Sequence, residues 1–161
     1  MSASFTITRK DGSTHVVLAD ADDLERVLAA GPWHVATRHR TVYVARNVRV
    51  DGKQTKQYLH RFLMEPCGME VDHVNGDGLD NRRVNLRRST HAQNLRNTVK
   101  RADNTSGLKG VCFHKQCRKW KAQIRLNGKN RHLGLFATSE AAHQAYCTAA
   151  AELHGEFARF A

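Results

Sequence analysis

An aspartate and a histidine stand side by side at positions 72 and 73, and an asparagine follows at 94. Together these side chains could run a metal-dependent hydrolysis of phosphodiesters. A hard divalent cation takes oxygen ligands, and the Asp72 carboxylate and Asn94 amide carbonyl can supply them while positions stay open for phosphate and water. Mg²⁺ or Mn²⁺ suits such a donor set. His73 titrates near neutrality when unperturbed, so it can take a proton from an attacking water. On an extended segment its side chain leaves the opposite face from Asp72.

The elements that must hold these groups can be read around them. Val71-Asp72-His73-Val74 is a short apolar strand carrying two ionisable residues, and Asn75 to Asn81 is a polar loop with Gly76 and Gly78. Val84 to Arg87 reads as a second strand. Thr90 and Gln93 have the spacing of a capping box, which opens a helix with Ala92, Leu95 and Val99 on one side and Asn94 and Asn97 on another.

Several short blocks in this region agree in order with one family. They are Leu59-His60-Arg61, Val71-Asp72-His73-Val74-Asn75-Gly76-Asp77, Leu79-Asp80-Asn81-Arg82, Asn85-Leu86-Arg87, and Gln93-Asn94 with Asn97. The stretch from about 58 to 98 resembles the HNH nuclease family, the ββα-metal fold, and especially its phage and homing endonuclease branch. The three family letters fall on His73, Asn85 and Asn94, at gaps of twelve and nine. The resemblance implies Asp72 and Asn94 as metal ligands, His73 as general base, and Asn85 as a brace for the loop and for His73. His60 and Arg61 match a family block that contacts substrate phosphate or supports structure, and Arg87 is expected among the DNA contacts.

The last third reads as three strands, Lys109 to His114, Lys119 to Leu126 and Asn130 to Phe136, the last two joined by Asn127-Gly128. Trp120, Ala122 and Ile124 alternate with Lys121, Gln123 and Arg125, so one face packs and the other is polar and basic. Thr138-Ser139-Glu140 then starts a helix with Ala142, Ala145, Tyr146, Ala149, Ala150 and Leu153 on one side, ended by Gly155. Such a sheet can enter the major groove of duplex DNA. The expected contacts are Lys109, His114, Lys119, Lys121, Gln123, Arg125 and His132. The blocks Ser106 to Val111, Lys119 to Ile124, His132 to Phe136, Ala145-Tyr146 and Leu153 to Ala158 resemble an AP2 DNA-binding domain over about 104–160. Plant members carry an arginine-rich stretch where this chain has Cys112, Phe113 and His114.

Composition agrees with a nucleic-acid partner. The 161 residues carry a net charge of +11, of which residues 101–161 hold +6. That excess must face something negative. No run approaches a membrane span, and the first residues lack the apolar core of a signal peptide, which predicts a cytoplasmic protein. The pairing of HNH-like and AP2-like text resembles phage- or mobile-element-encoded homing endonucleases, which implies a phage, prophage or mobile-element origin. Cys67, Cys112, Cys117 and Cys147 form no CxxC pair, so no structural zinc is expected, Cys112-x-His114-x-x-Cys117 notwithstanding. Upstream, Phe5–Thr8 and His15–Leu18 flank the turn Asp11-Gly12, a helix runs from Asp20 to Ala30, and Trp33–Arg38, Val42–Val50 and Gln57–Leu59 read as strands. Arg38, Arg40, Arg46 and Arg49 form a basic face there, either solvated or on DNA.

The expected architecture is thus α+β in three parts: an N-terminal α+β module (1–57), an HNH nuclease domain (58–100) and an AP2-like DNA-binding domain (104–160). The expected activity is hydrolysis of double-stranded DNA to 5′-phosphate and 3′-hydroxyl ends. One site and one metal imply a nick by a monomer, and no protein partner is evident. The rival readings are a non-cleaving AP2-type regulator and an RNA-binding module.

Overall fold

A computed structural model describes residues 1–38, 41–98, 100 and 104–160, so the expectations for Arg40 and Val99 lie outside the described residues. The fold is α+β, built on small antiparallel sheets, and it divides into two compact units, Met1–His91 and Ala92–Ala161.

The first unit opens with a hairpin, β1 (Ser2–Thr8) and β2 (Thr14–Asp20), followed by α1 (Ala21–Ala30). Asp22 and Asp23 lie in the first turn of α1, where they oppose the positive end of the helix dipole. Next come β3 (His34–Arg38), β4 (Thr41–Val50) and β5 (Lys53–Tyr58), in sheet order β3-β4-β5. The helix α2 (Leu59–Met64) was not legible in the sequence, where Leu59 reads as a strand end. Its N-terminus has no side-chain cap; Leu59 and Leu63, one turn apart, hold it by burial in the core.

A second hairpin, β6 (Glu70–His73) with β7 (Leu86–Ser89), completes this unit. The predicted strand from Val84 starts two residues late. Arg83–Asn85 is a 3₁₀ turn closed by Asn85 N donating to the Arg82 carbonyl at 2.8 Å, and Val84 is exposed. One apolar core joins β1, β2, α1, β4, α2, β6 and β7, drawing Ile7, Val17, Val27, Val44, Leu59, Leu63, Val71 and Leu86 together. The N-terminal strands and the β6–β7 hairpin are thus packed as one body.

The boundary between the units falls in α3 (His91–Arg96). The apolar side expected for this helix is turned outward, since Ala92 and Leu95 are exposed while Asn94 is half-buried and Asn97 buried. The rest of the second unit is β8 (Val111–His114), β9 (Lys119–Leu126) and β10 (Lys129–Phe136) in order β10-β9-β8, with the long helix α4 (Ser139–His154) against one face. Thr138 caps α4 by accepting from Ala141 N at 3.1 Å. Small residues let the helix lie close: Ala142 and Ala150 are fully buried, against Val111, Ala122 and Ile124.

Candidate nuclease site

The loop between β6 and β7 is built from its own polar side chains. Asn75 Oδ1 accepts from Asp77 N and Asp77 Oδ1 from Leu79 N, two successive Asx turns. Asp80 is clamped by Arg82 through two bonds of 2.7 and 2.6 Å and accepts from Asn75 Nδ2 at 3.0 Å. The guanidinium holds the Asp80 carboxyl below its usual range. The backbone on either side is stitched to β2, with Leu18 N donating to the Leu79 carbonyl and Asn81 N to the Leu18 carbonyl. Gly78 lets the loop lie close to β4 as well, because a Cβ there would fall 2.3 Å from the Val42 carbonyl oxygen and 2.6 Å from the Tyr43 ring.

Asn85 ties the loop ends together. Its amide donates to the Asp80 carbonyl at 2.8 Å and accepts from Asn75 N at 3.0 Å, while its backbone carbonyl takes Val74 N. Arg83 anchors the same corner to α1 through a two-point pair with Asp23 at 2.7 and 2.8 Å.

Asp72 and His73, neighbours on β6, are each only 5% exposed, so both faces of the strand are covered. Asp72 lies opposite Arg87 in the β6–β7 register, and its Oδ2 accepts from Arg87 Nε at 2.9 Å and Nη2 at 2.7 Å. Arg87, expected to face DNA, therefore turns onto the buried carboxylate, which without a partner would carry a large desolvation cost. His73 sits in an aromatic nest, with the His60 ring 4.9 Å away edge-on and Tyr43 at 5.9 Å. Burial pulls His73 below the ordinary imidazole value, against the Asn81 side chain and Asp72, which favour its charged form. The ring is thus neutral at pH 7 and able to accept a proton. His60, stacked on Tyr58 at 5.5 Å, is pulled further, to about 3, first by burial and then by His73 and Arg61. Its ring faces Tyr58, Tyr43 and His73. Arg61 is exposed and lines an open cleft with Lys56, Tyr58, Phe62 and Glu65.

Among the described residues no three His, Cys, Asp or Glu side chains gather to hold a metal. A cation at Asp72 would meet a hard oxygen donor and complete its shell with amide, water or phosphate oxygens, which fits a hydrolytic ion with open positions. Asn94 lies on α3 in the second unit. The four cysteines are free thiols.

A family model described as HNH endonuclease matches residues 58–96, the stretch that contains α2, the hairpin and α3. Protein 3.8 of Escherichia phage T7 is 35% identical over 95 residues, covering 59% of this chain and 78% of that protein. The chain belongs to the HNH endonuclease family. An uncharacterized HNH endonuclease, L560, of Acanthamoeba polyphaga mimivirus is 29% identical over 133 residues, covering 78% of this chain and 68% of that protein. No solved structure matches the chain. The HNH domain is that of a metal-dependent nuclease: such enzymes use a divalent metal and act on DNA. No helix among the described residues is long and apolar enough to cross a membrane.

In the second unit the register collects most of the expected DNA contacts of this HNH protein on one sheet face. Lys119 pairs with His114, Lys121 lies between Cys112 and Leu135, Gln123 pairs with His132, and Arg125 with Asn130. All are on the face opposite Ala122 and Ile124, which pack on α4. Lys109 is not on that face. Its ammonium donates to the Arg96 carbonyl at 3.1 Å and the Thr98 carbonyl at 2.6 Å, capping the end of α3, and burial beside Arg159 pushes it down to about 8. The loop-building asparagines and aspartates were readable as turn residues, but the Tyr43 wall of the histidine nest was not, since it lies far from both histidines in sequence.

Proposed function

We propose that the protein hydrolyses phosphodiester bonds of duplex DNA at Asp72 and His73, with Asp72 and Asn94 holding Mg²⁺ or Mn²⁺. The bound ion supplies Lewis-acid stabilisation of charge on the phosphate and on the leaving 3′ oxygen. The neutral His73 takes the proton from the attacking water. His60, Tyr43 and the Asn85-braced loop keep the His73 ring in place. Attack at phosphorus with loss of the 3′ oxygen leaves 5′-phosphate and 3′-hydroxyl ends, and one such site in a monomer cuts one strand per event. The region 104–160 acts as an AP2-like reader, with His114, Lys119, Lys121, Gln123, Arg125 and His132 toward the duplex and Arg61 toward phosphate. The parts played by 1–57, 58–100 and 104–160 would then be support, cutting and reading.

The observation that carries this reading is the pairing of a buried carboxylate with a neutral, buried imidazole on adjacent residues of the hairpin that the HNH model matches. Supercoiled plasmid incubated with Mg²⁺ or Mn²⁺ tests it. Open-circular product carrying 5′-phosphate ends is expected, lost in EDTA and in Asp72→Ala. Full activity in Asp72→Ala, or 3′-phosphate ends, would overturn it, and duplex binding without any cutting would favour the regulator.

A further inference from the structure

The β4–β5 hairpin outruns the sheet to which it belongs. β3 pairs with β4 only between Thr41 and Ala45, whereas β5 pairs with it from Ala45 to Val50. Beyond Ala45 the structure is a two-stranded ribbon, closed by Asp51 and Gly52, both at positive φ. Its register sorts the side chains onto two faces. Arg46 with Gln57, Val48 with Thr55 and Val50 with Lys53 share one; Asn47 with Lys56 and Arg49 with Gln54 share the other.

The first face is anchored to the core. Arg46 lies over the Trp33 and Phe62 rings at 5.2 and 4.9 Å and hydrogen-bonds to Gln57 and to the Ala30 carbonyl. The second face presents two amides and two cations, all exposed. Among the described residues no carboxylate pairs with Arg49 or Lys56. Followed back along alternate positions, this second face leads to Ala45 and Tyr58 and then Tyr43. Those two tyrosines are the ones that pack on His60 and His73. The amide-and-cation row therefore lies on the same face of this sheet as Tyr43, against whose ring the candidate proton acceptor on β6 packs.

We infer that Asn47, Arg49, Gln54 and Lys56 form a second duplex-DNA contact, a ribbon entering the major groove beside the bond to be cut. The inference rests on the nuclease reading for its position and on charge complementarity for its partner. A two-stranded ribbon fits the major groove, where Asn and Gln pair with adenine edges and Arg or Lys with guanine. At a strand rise of about 3.3 Å per residue, Asn47 and Arg49 lie about 13 and 20 Å along β4 from Tyr43. With about 3.4 Å per base pair, the ribbon contacts one flank about four to six base pairs from the cut.

The test uses the full chain in EDTA with a labelled mixed-sequence duplex of about 30 base pairs, between about 50 and 200 mM salt. Arg49→Ala with Lys56→Ala should weaken binding about tenfold and reduce the log–log salt slope by about 1.8, two phosphate-scale contacts. Lys53→Ala, on the opposite face, should change the slope by well under one unit. Unchanged slope in the double variant, or an equal loss per charge from Lys53→Ala, overturns the contact. In a randomised duplex cut with Mn²⁺, sequence preference on one flank about four to six base pairs out should vanish in Asn47→Ala with Gln54→Ala. No preference there, or one unchanged in the variant, overturns the groove placement. Wild-type protein that shows the binding pattern yet cuts nothing defeats the nuclease reading alone; cutting with wild-type binding by the variants defeats the ribbon alone.

Discussion

The two units differ in how much polar chemistry they bury. In the first, Asp23, His60, Asp72, His73, Asp80, Asn81, Asn85 and Ser89 are all buried beside the apolar core. In the second, the buried side chains are mostly apolar, Val111, Ala122, Ile124, Ala142, Tyr146, Ala149, Ala150 and Phe157, beside buried Asn97 and His154, and Lys119, Lys121 and Arg125 lie on the outer sheet face. On the proposed function, the contrast follows from what each kind of work needs. A group that must hold a fixed protonation state and geometry gains from a desolvated, hydrogen-bonded setting. A group that meets the phosphates of a duplex has to stay in water until the duplex arrives. The first unit accepts the cost of polar burial, offset by ion pairs such as Asp72 with Arg87 and Asp23 with Arg83.

The largest expected effect sharpens the catalytic half of this contrast. His73→Ala should reduce turnover about 10²–10⁴-fold while leaving duplex binding intact, measured by single-turnover plasmid nicking and by fluorescence anisotropy. Equal activity in the variant would remove His73 as proton acceptor.

Next comes a substitution confined to the second unit. Gly110 has φ of +77°, and a Cβ on it would fall 2.1 Å from the Tyr146 ring. Gly110→Ala combines the left-handed penalty with overpacking, together about 2–5 kcal/mol. Each unit holds one tryptophan, Trp33 in the first and Trp120 in the second. Single-tryptophan variants should therefore show the Trp120 transition moving to lower denaturant with Trp33 little changed.

The smallest effect is acid sensitivity of the first unit. Unfolded His60 takes a proton near 6.5, but folded His60 only near 3, and His73 is shifted the same way. Between those values the unfolded chain binds more protons, so stability falls as pH is lowered through 6.5 and continues to fall toward 3. From pH 6.5 to 5 the His60 contribution is about 2 kcal/mol. Denaturation followed at Trp33 should show this loss, and His60→Phe should blunt it; a pH-independent midpoint would place His60 in water.

Local chemistry was legible in the chain itself. The turn residues of the Asn75–Asn81 loop, the period-two pattern of β9 and the Thr138 cap each act within a few residues, so type and spacing sufficed to announce them. The candidate pair Asp72-His73 was readable for the same reason. Tertiary structure decided everything that depends on partners distant in sequence. It turned Arg87 onto Asp72 across a strand register, set Tyr43 against His60 and His73, and drew Lys109 away from the sheet face to the end of α3. It also made a helix of Leu59–Met64, whose local signals are weak and whose burial is strong. A residue's type fixes which bonds it can make, but burial and register, which only the folded chain sets, select the bond it does make.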